Sequence, residues 1–208
     1  MAYSDFTTLH KVRTAFDLIL DETTHLFTDI APIEPSDYLK TTLNEFVPLA
    51  NAINTEKARS ELIIAPVLLE VRRHFNFQVG FFSGTDFTVD STVGLNGYCD
   101  YILTASQEMY EIYAPVVTLV EAKNENIKSG LGQCIAEMIA AQRFNQQRET
   151  PIDVIYGAVT TGMIWKFLKL VNQTAFIDLS DYFIKEVDKI LGILSIPLSQ
   201  HLCDRNHR

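Results

Sequence analysis

The segment TEKARSELIIAPVLLEVRRHF, residues 55–75, constrains the fold more than any other stretch of this 208-residue chain. It opens on a threonine suited to capping a helix, and between Leu62 and Val71 it is apolar almost all round. A helix without a polar face has to be covered on every side, so it belongs inside a layered structure. Pro66 gives no N–H to the helical ladder and its ring crowds the carbonyl four residues back, which predicts a kink near Leu62.

Three runs rich in β-branched and aromatic residues follow: FNFQVGFFSG with DFTVD, then GYCDYILTAS, then APVVTLVEAK. A helix is expected from about Gly130 to Arg143, with Leu131, Ile135, Met138 and Ala141 or Gln142 on one stripe. PIDVIYGAVTTG, MIWKFLKLV and AFIDL read as further strands. Ser180 is placed to cap a closing helix in which Phe183, Val187, Ile190, Leu191 and Leu194 are spaced for burial. Ahead of residue 55, EPSDYLKTTLNEFVPLANAI reads as a helix capped by Ser36 and bent at Pro48, whereas HKVRTAFDLIL fits helix and strand equally well.

This order predicts an α/β or α+β fold, a mixed central sheet flanked by helices. Residues 1–54 form a mainly helical extension packed on a core at 55–200, with a short tail at 201–208. The length suits one domain with a sizeable core.

Lysines and arginines number 17 against 26 aspartates and glutamates, a net charge of -9. That balance opposes indiscriminate binding to phosphates but leaves room for a local basic groove. Basic residues cluster at Arg72, Arg73 and His74, at Lys166 and Lys169, and around Arg143 and Arg148; solvated helix faces are the plain alternative. No apolar stretch approaches the roughly 18 residues of a membrane span, so no membrane partner is expected. MAYSDFTTLHKVRT lacks the basic start and apolar middle of a signal peptide, and Cys99, Cys134 and Cys203 form no even framework; a cytoplasmic location is expected.

The chemistry concentrates at the end of the third strand-like run. Side chains alternate along a strand, so Glu121 and Lys123 share a face with Leu119 and Val117, while Val120 and Ala122 take the other. An E-x-K alone is usually a surface ion pair. Asp100 changes the reading, because it interrupts the half-buried segment GYCDYIL, where an acid is costly unless it is paired or binds a metal. On neighbouring strands, Asp100 and Glu121 would offer two hard oxygen ligands and the Ala122 carbonyl a third, a set that suits Mg²⁺ with water completing its shell, or Mn²⁺ in its place. Lys123 would then stand beside the ion, able to orient water or balance charge on a phosphate. The buried helix offers two further acids. Glu61, in its first half where the helix dipole favours an anion, is preferred as an added ligand; Glu70, beside Arg72 and Arg73, fits a structural ion pair.

Glu61 on a first helix, Asp100 on a second core strand, Glu121-Ala122-Lys123 on a third and Gln133 on the following helix together resemble the PD-(D/E)XK nuclease superfamily, over about Glu56 to Thr161. The proline that often precedes the aspartate is absent; Cys99 stands there. The resemblance implies a restriction-endonuclease-like core: a helix, a three-stranded antiparallel meander, a second helix and a fourth strand parallel to its neighbour. It implies Mg²⁺-dependent hydrolysis of phosphodiester bonds in nucleic acid, with DNA the expected partner and a homodimer compatible with cutting two strands. It also gives Gln133 a role in contacting the lysine or the nucleic acid.

Other readings compete. A catalytically inactive subunit or binding module of the same fold would keep the acids as ordinary ion pairs. QHLCDRNHR offers His201, Cys203 and His207 to a metal but lacks a fourth ligand. The loop NENIKSGLG has glycines that would let backbone N–H groups approach phosphates, or is simply a turn into a helix. SGLGQC and GAVTTG do not complete a nucleotide-binding pattern. Cys99 and Cys134 are expected as small core residues, and Trp165 as a packing residue.

Overall fold

The computed structural model describes residues 1–202. Eight strands make one mixed sheet: β1 (Ile19–Asp21), β2 (Gly80–Asp86), β3 (Tyr98–Thr104), β4 (Val116–Ala122), β5 (Val154–Thr160), β6 (Ile164–Val171), β7 (Thr174–Ile177) and β8 (Tyr182–Phe183). They lie in the order β1-β7-β6-β5-β4-β3-β2, with β8 beside the end of β6. β4 is parallel to β5 and β1 to β7, and the other neighbours are antiparallel. Every residue of the central strand β4 is buried, which is why its sequence is a near-continuous apolar run.

Helices cover both faces. On one lies α5 (Ile127–Gln147), itself covered by α1 (Leu9–Phe16) and a 3-10 turn at Tyr3–Asp5. The core beneath α5 includes Ile102, Leu119, Ile135, Met138 and Val159. The other face carries α4 (Ala65–His74) and α6 (Val187–Leu202), with α2 (Asp37–Ile53) against them, around Val67, Leu68, Val71, Val120 and Trp165. Trp165 is wholly buried and donates its indole N–H to the Gly162 carbonyl, a packing residue as its neighbours suggest. Among the described residues, no helix is long and apolar enough to cross a membrane.

The helix expected over 55–75 forms in three pieces: α3 (Glu56–Arg59), capped by the Thr55 hydroxyl, a π turn at Ser60–Ile64, and α4. In the π turn the Ala65 N–H reaches the Ser60 carbonyl, five residues back. Widening the helix just ahead of Pro66 relieves the clash its ring would make in a regular turn, so the strain expected as a kink is taken up as a π turn. Ser36 caps α2 as expected, its hydroxyl accepting from the Leu39 N–H at 3.2 Å.

Elsewhere the elements shift. HKVRTAFDLIL is both things in turn: α1 ends at Phe16, Asp17 turns the chain in a left-handed conformation (φ 51°), and β1 begins at Ile19. The N-terminal extension therefore supplies a sheet strand as well as helices. Ser180 does not cap the closing helix. Tyr182 and Phe183 pair with Trp165 and Ile164 as β8, the Ser180 hydroxyl contacts His25 Nδ1 at 2.9 Å, and α6 starts only at Val187, which leaves Phe183 exposed. Backbone groups that a helix would have satisfied within itself are satisfied by β6 instead. The expected tail begins inside α6, which runs to Leu202; Cys203 and His207 lie outside the described residues.

Candidate functional site

β3 and β4 pair from Thr104–Val116 as far as Tyr101–Val120, and their ladder stops there. The next residues along, Asp100 and Glu121, form the mouth of the splay. Lys123 gives its N–H to the Thr160 carbonyl on β5 at 2.8 Å, so the Ala122 N–H points the other way, toward β3. Asp100 Oδ2 accepts it at 2.8 Å, its side chain capping the end of the ladder and fixing the carboxylate beside β4. Opposite Asp100 on β2 stands Gly84 with φ 59°, and the β2–β3 ladder skips that pair. Cys99 and Ile102, three residues apart, consequently both pack under α5, where strict alternation would separate them.

A second irregularity decides the face of Glu121. Thr104 pairs with Val116 but Leu103 with Thr118, so Val117 is the extra residue of a bulge. Leu119 shares the α5 side with Glu121 as alternation predicts, but Val117 packs in the opposite core, a correction to the expected common face.

Glu121 is 1% exposed. Its Oε1 forms an ion pair with Lys123 Nζ, and its Oε2 is buried with no hydrogen-bond partner in the ordinary donor–acceptor sense. Burial, then the charge of Asp100, raises its pKa against the opposing pull of Lys123. Burial works to lower the Lys123 pKa, but the charge and hydrogen bond of Glu121, followed by the charges of Glu56 and Asp100, hold it above the usual lysine value. The lysine stem runs across α5 at Gly130, where an added Cβ would lie 2.7 Å from Val159 and 3.1 Å from Lys123 Cε. Glycine is what lets the helix lie this close to the lysine.

Gln133 comes to the site through Glu137, one helical turn on: its Nε2 donates to Glu137 Oε1 at 3.1 Å. Glu137 is fully buried, and its Oε2 lacks a partner just as Glu121 Oε2 does. Burial, then the charge of Glu121, pushes its pKa well above the usual carboxylate range. Sequence reasoning missed this residue. The signal was present, since CIAEMIAA is apolar apart from one acid, the same anomaly that marks Asp100.

The structure thus gathers Asp100, Glu121, Ala122, Lys123 and Gln133. It does not bring Glu61 into contact with them. Glu61 lies on the π turn with its side chain 63% exposed, paired with Lys57 at 3.6 Å one turn earlier in the helix. Glu70 is the structural acid its neighbours suggest: it accepts from the Ser36 N–H at 2.8 Å and pairs with Arg73 at 2.6 Å.

The basic clusters are mostly engaged inside the molecule. Arg72 donates to the Val79 carbonyl, Arg143 pairs with Asp90, Lys166 bonds three backbone carbonyls and pairs with Asp181, and Lys169 lies over the rings of Phe27 and Tyr156. Cys99 and Cys134 are buried and free, and burial pushes both thiols up, away from nucleophilic chemistry. The glycine-bearing loop is shorter than expected: Asn126 caps α5, accepting from the Lys128 N–H at 3.0 Å, and the helix starts at Ile127.

Among the described residues, no group of three or more His, Cys, Asp and Glu side chains is gathered closely enough to hold a metal by itself. Compared with known proteins, the sequence matches no protein-family model and no curated protein.

Proposed function

We propose that the chain is a Mg²⁺-dependent nuclease of the PD-(D/E)XK type, hydrolysing phosphodiester bonds in nucleic acid, with DNA as the substrate. The reading is carried by one observation: Asp100 and the buried Glu121 meet where two strands splay, with Lys123 bound to Glu121 as the nearest counter-charge. The antiparallel β2-β3-β4 meander, the crossing by α5 and the return of β5 parallel to β4 support a restriction-endonuclease-like core.

The donor set fits a hard divalent ion. Asp100 and Glu121 bring two carboxylates beside one lysine, with Asp100 Oδ2 held by the Ala122 N–H. Mg²⁺ binds through one or two carboxylates and keeps several waters, so a three-acid cage is not required; Mn²⁺ suits the same oxygens. Asp100, Glu121 and the Ala122 carbonyl would hold the ion, which when bound supplies Lewis-acid stabilisation to the charge growing on the phosphoryl oxygens. Lys123, anchored by Glu121 and confined against Gly130, keeps its cationic Nζ beside the carboxylates, where it can orient an attacking water or hold a phosphate oxygen. Glu61 lies exposed on the π turn, paired with Lys57, and the reading does not need it.

Cleavage of duplex DNA, single-stranded DNA and RNA, each with Mg²⁺ or a chelator, tests this directly. DNA cleavage is expected only with the metal, and Asp100→Asn should remove it without unfolding the protein. Undiminished cleavage by a properly folded Asp100→Asn variant would overturn the reading. The internal engagement of the basic clusters favours a second one, an inactive subunit of the same fold; it requires that Mg²⁺ leave the melting temperature unchanged.

A further inference from the structure

We propose that the groove between the N-terminal segment and the first turn of α5 carries the phosphodiester backbone of the DNA substrate. The inference rests on the nuclease reading and names the surface that would hold the substrate beside Lys123.

A groove of about 580 Å³ lies between Thr7, Thr8 and His10 on one side and Asn126 and Lys128 on the other. Ser129 and Leu131, which also line it, flank Gly130, the residue that the Lys123 stem crosses, so the groove lies within one helical turn of the site. Its two sides are fixed to each other. A Cβ added at Gly132 would lie 2.4 Å from the Phe6 carbonyl oxygen and 2.8 Å from that of Thr8, so only glycine lets the segment rest directly on α5.

The lining is a surface of donors. The Thr7 hydroxyl accepts from Lys11 Nζ at 3.2 Å, the Thr8 hydroxyl from the Lys11 N–H at 3.3 Å, and Asn126 Oδ1 from the Lys128 N–H at 3.0 Å. Both hydroxyl hydrogens and the Asn126 amide N–H groups are left to donate, and the Lys128 ammonium adds three more donors and a charge. Phosphodiester oxygens only accept, so they are the complement of this set. Glu22 is the one acid among the lining residues. Among the described residues, Lys128 and Arg13 are the only lysine and arginine side chains with no hydrogen bond, ion pair or ring contact. Arg13 lines a separate hollow with Asp17, Ile19 and Gln173. Lys128 is therefore the uncommitted cation near the site, in a chain whose net charge of -9 otherwise opposes phosphate binding.

Fluorescence anisotropy of a short labelled DNA duplex with the full chain in EDTA reads binding without metal or cleavage. Lys128→Gln and Arg13→Gln remove the same charge, one inside the groove and one outside it, from exposed positions. Lys128→Gln is expected to weaken binding about 3- to 10-fold and to lower the slope of log Kd against log salt by about 1, the mark of one lost phosphate contact. Arg13→Gln should bind as the wild type does. Asn126→Asp keeps a good helix cap but replaces donors with a charged acceptor, and it should weaken binding at least as much as Lys128→Gln. A wild type that does not bind DNA, equal losses in Lys128→Gln and Arg13→Gln, or an Asn126→Asp protein that binds normally overturns the proposal. Binding that follows these expectations in a wild type that Mg²⁺ does not make cleave would overturn the nuclease reading alone. Mg²⁺-dependent cleavage by a protein whose DNA binding ignores Lys128 and Asn126 would overturn the groove alone.

Discussion

Asp178 and Glu70, on the α4–α6 side of the sheet, are buried with both carboxylate oxygens bonded, whereas Glu121 and Glu137 beneath α5 each keep one oxygen without an ordinary donor. Asp178 accepts from the Leu26 and Ser180 N–H groups at 3.1 Å each and from the Tyr182 hydroxyl at 3.0 Å. Glu70 accepts from Ser36 and Arg73. These acids tie loops to the core. The acids beneath α5 instead face one another, and their mutual repulsion and desolvation oppose folding. The same residue type is a staple where donors surround it and, on the proposed reading, a ligand where they do not.

The contrast breaks most sharply at Glu121. Glu121→Gln is expected to reduce Mg²⁺-dependent cleavage to background while the melting temperature stays level or rises, since a buried like charge is relieved; a folded variant with normal cleavage, or a large fall in melting temperature, would put Glu121 with the staples. Asp178→Ala should do the reverse. Two backbone N–H groups and a tyrosine hydroxyl lose their acceptor, and denaturant unfolding should show a loss of about 3 kcal/mol with no direct effect on the metal site.

Glu70→Gln sharpens the comparison through pH. Burial alone would raise the Glu70 pKa, but the Ser36 hydrogen bonds and the Arg73 charge hold it below the usual value. A depressed folded pKa means that the unfolded chain takes up the proton first. The stability Glu70 adds is therefore present above the unfolded glutamate pKa of about 4.3 and is lost as pH falls from there through the lower folded value. Unfolding free energies of wild type and Glu70→Gln from urea titrations should differ at neutral pH by about 2 kcal/mol and converge in acid. A gap independent of pH would show that charge is not what Glu70 contributes. The smallest effect is expected at Gly130, where Gly130→Ala must shift Val159 or the Lys123 stem at about 1 kcal/mol in stability. Cleavage should fall further than stability does, and equal losses would mean that Lys123 is not finely placed.

Asp100, Glu121 and Lys123 were legible because strand-like runs made their charge anomalous, and Gln133 only through the resemblance, which implies a glutamine on the following helix. Glu137 carried the same anomaly on a helix and was passed over, because a helical acid can face any direction until the packing of both sides is known. Here α1 and the Tyr3–Asp5 turn cover the outer side of α5, turning what would be a solvent-facing stripe inward. Glu61 goes the opposite way: the long apolar run suggests a covered position, but the π turn before Pro66 and the nearby Lys57 leave it at the surface.

The sequence by itself determined the layered α/β architecture, since hydrophobic period and local capping are written residue by residue; the strand order around β4 was an expectation of the resemblance alone. Only the tertiary structure decided which acids are left without donors. That property depends on a strand splay, a one-residue bulge at Val117 and the covering of α5, each of them set by packing between segments far apart in the chain.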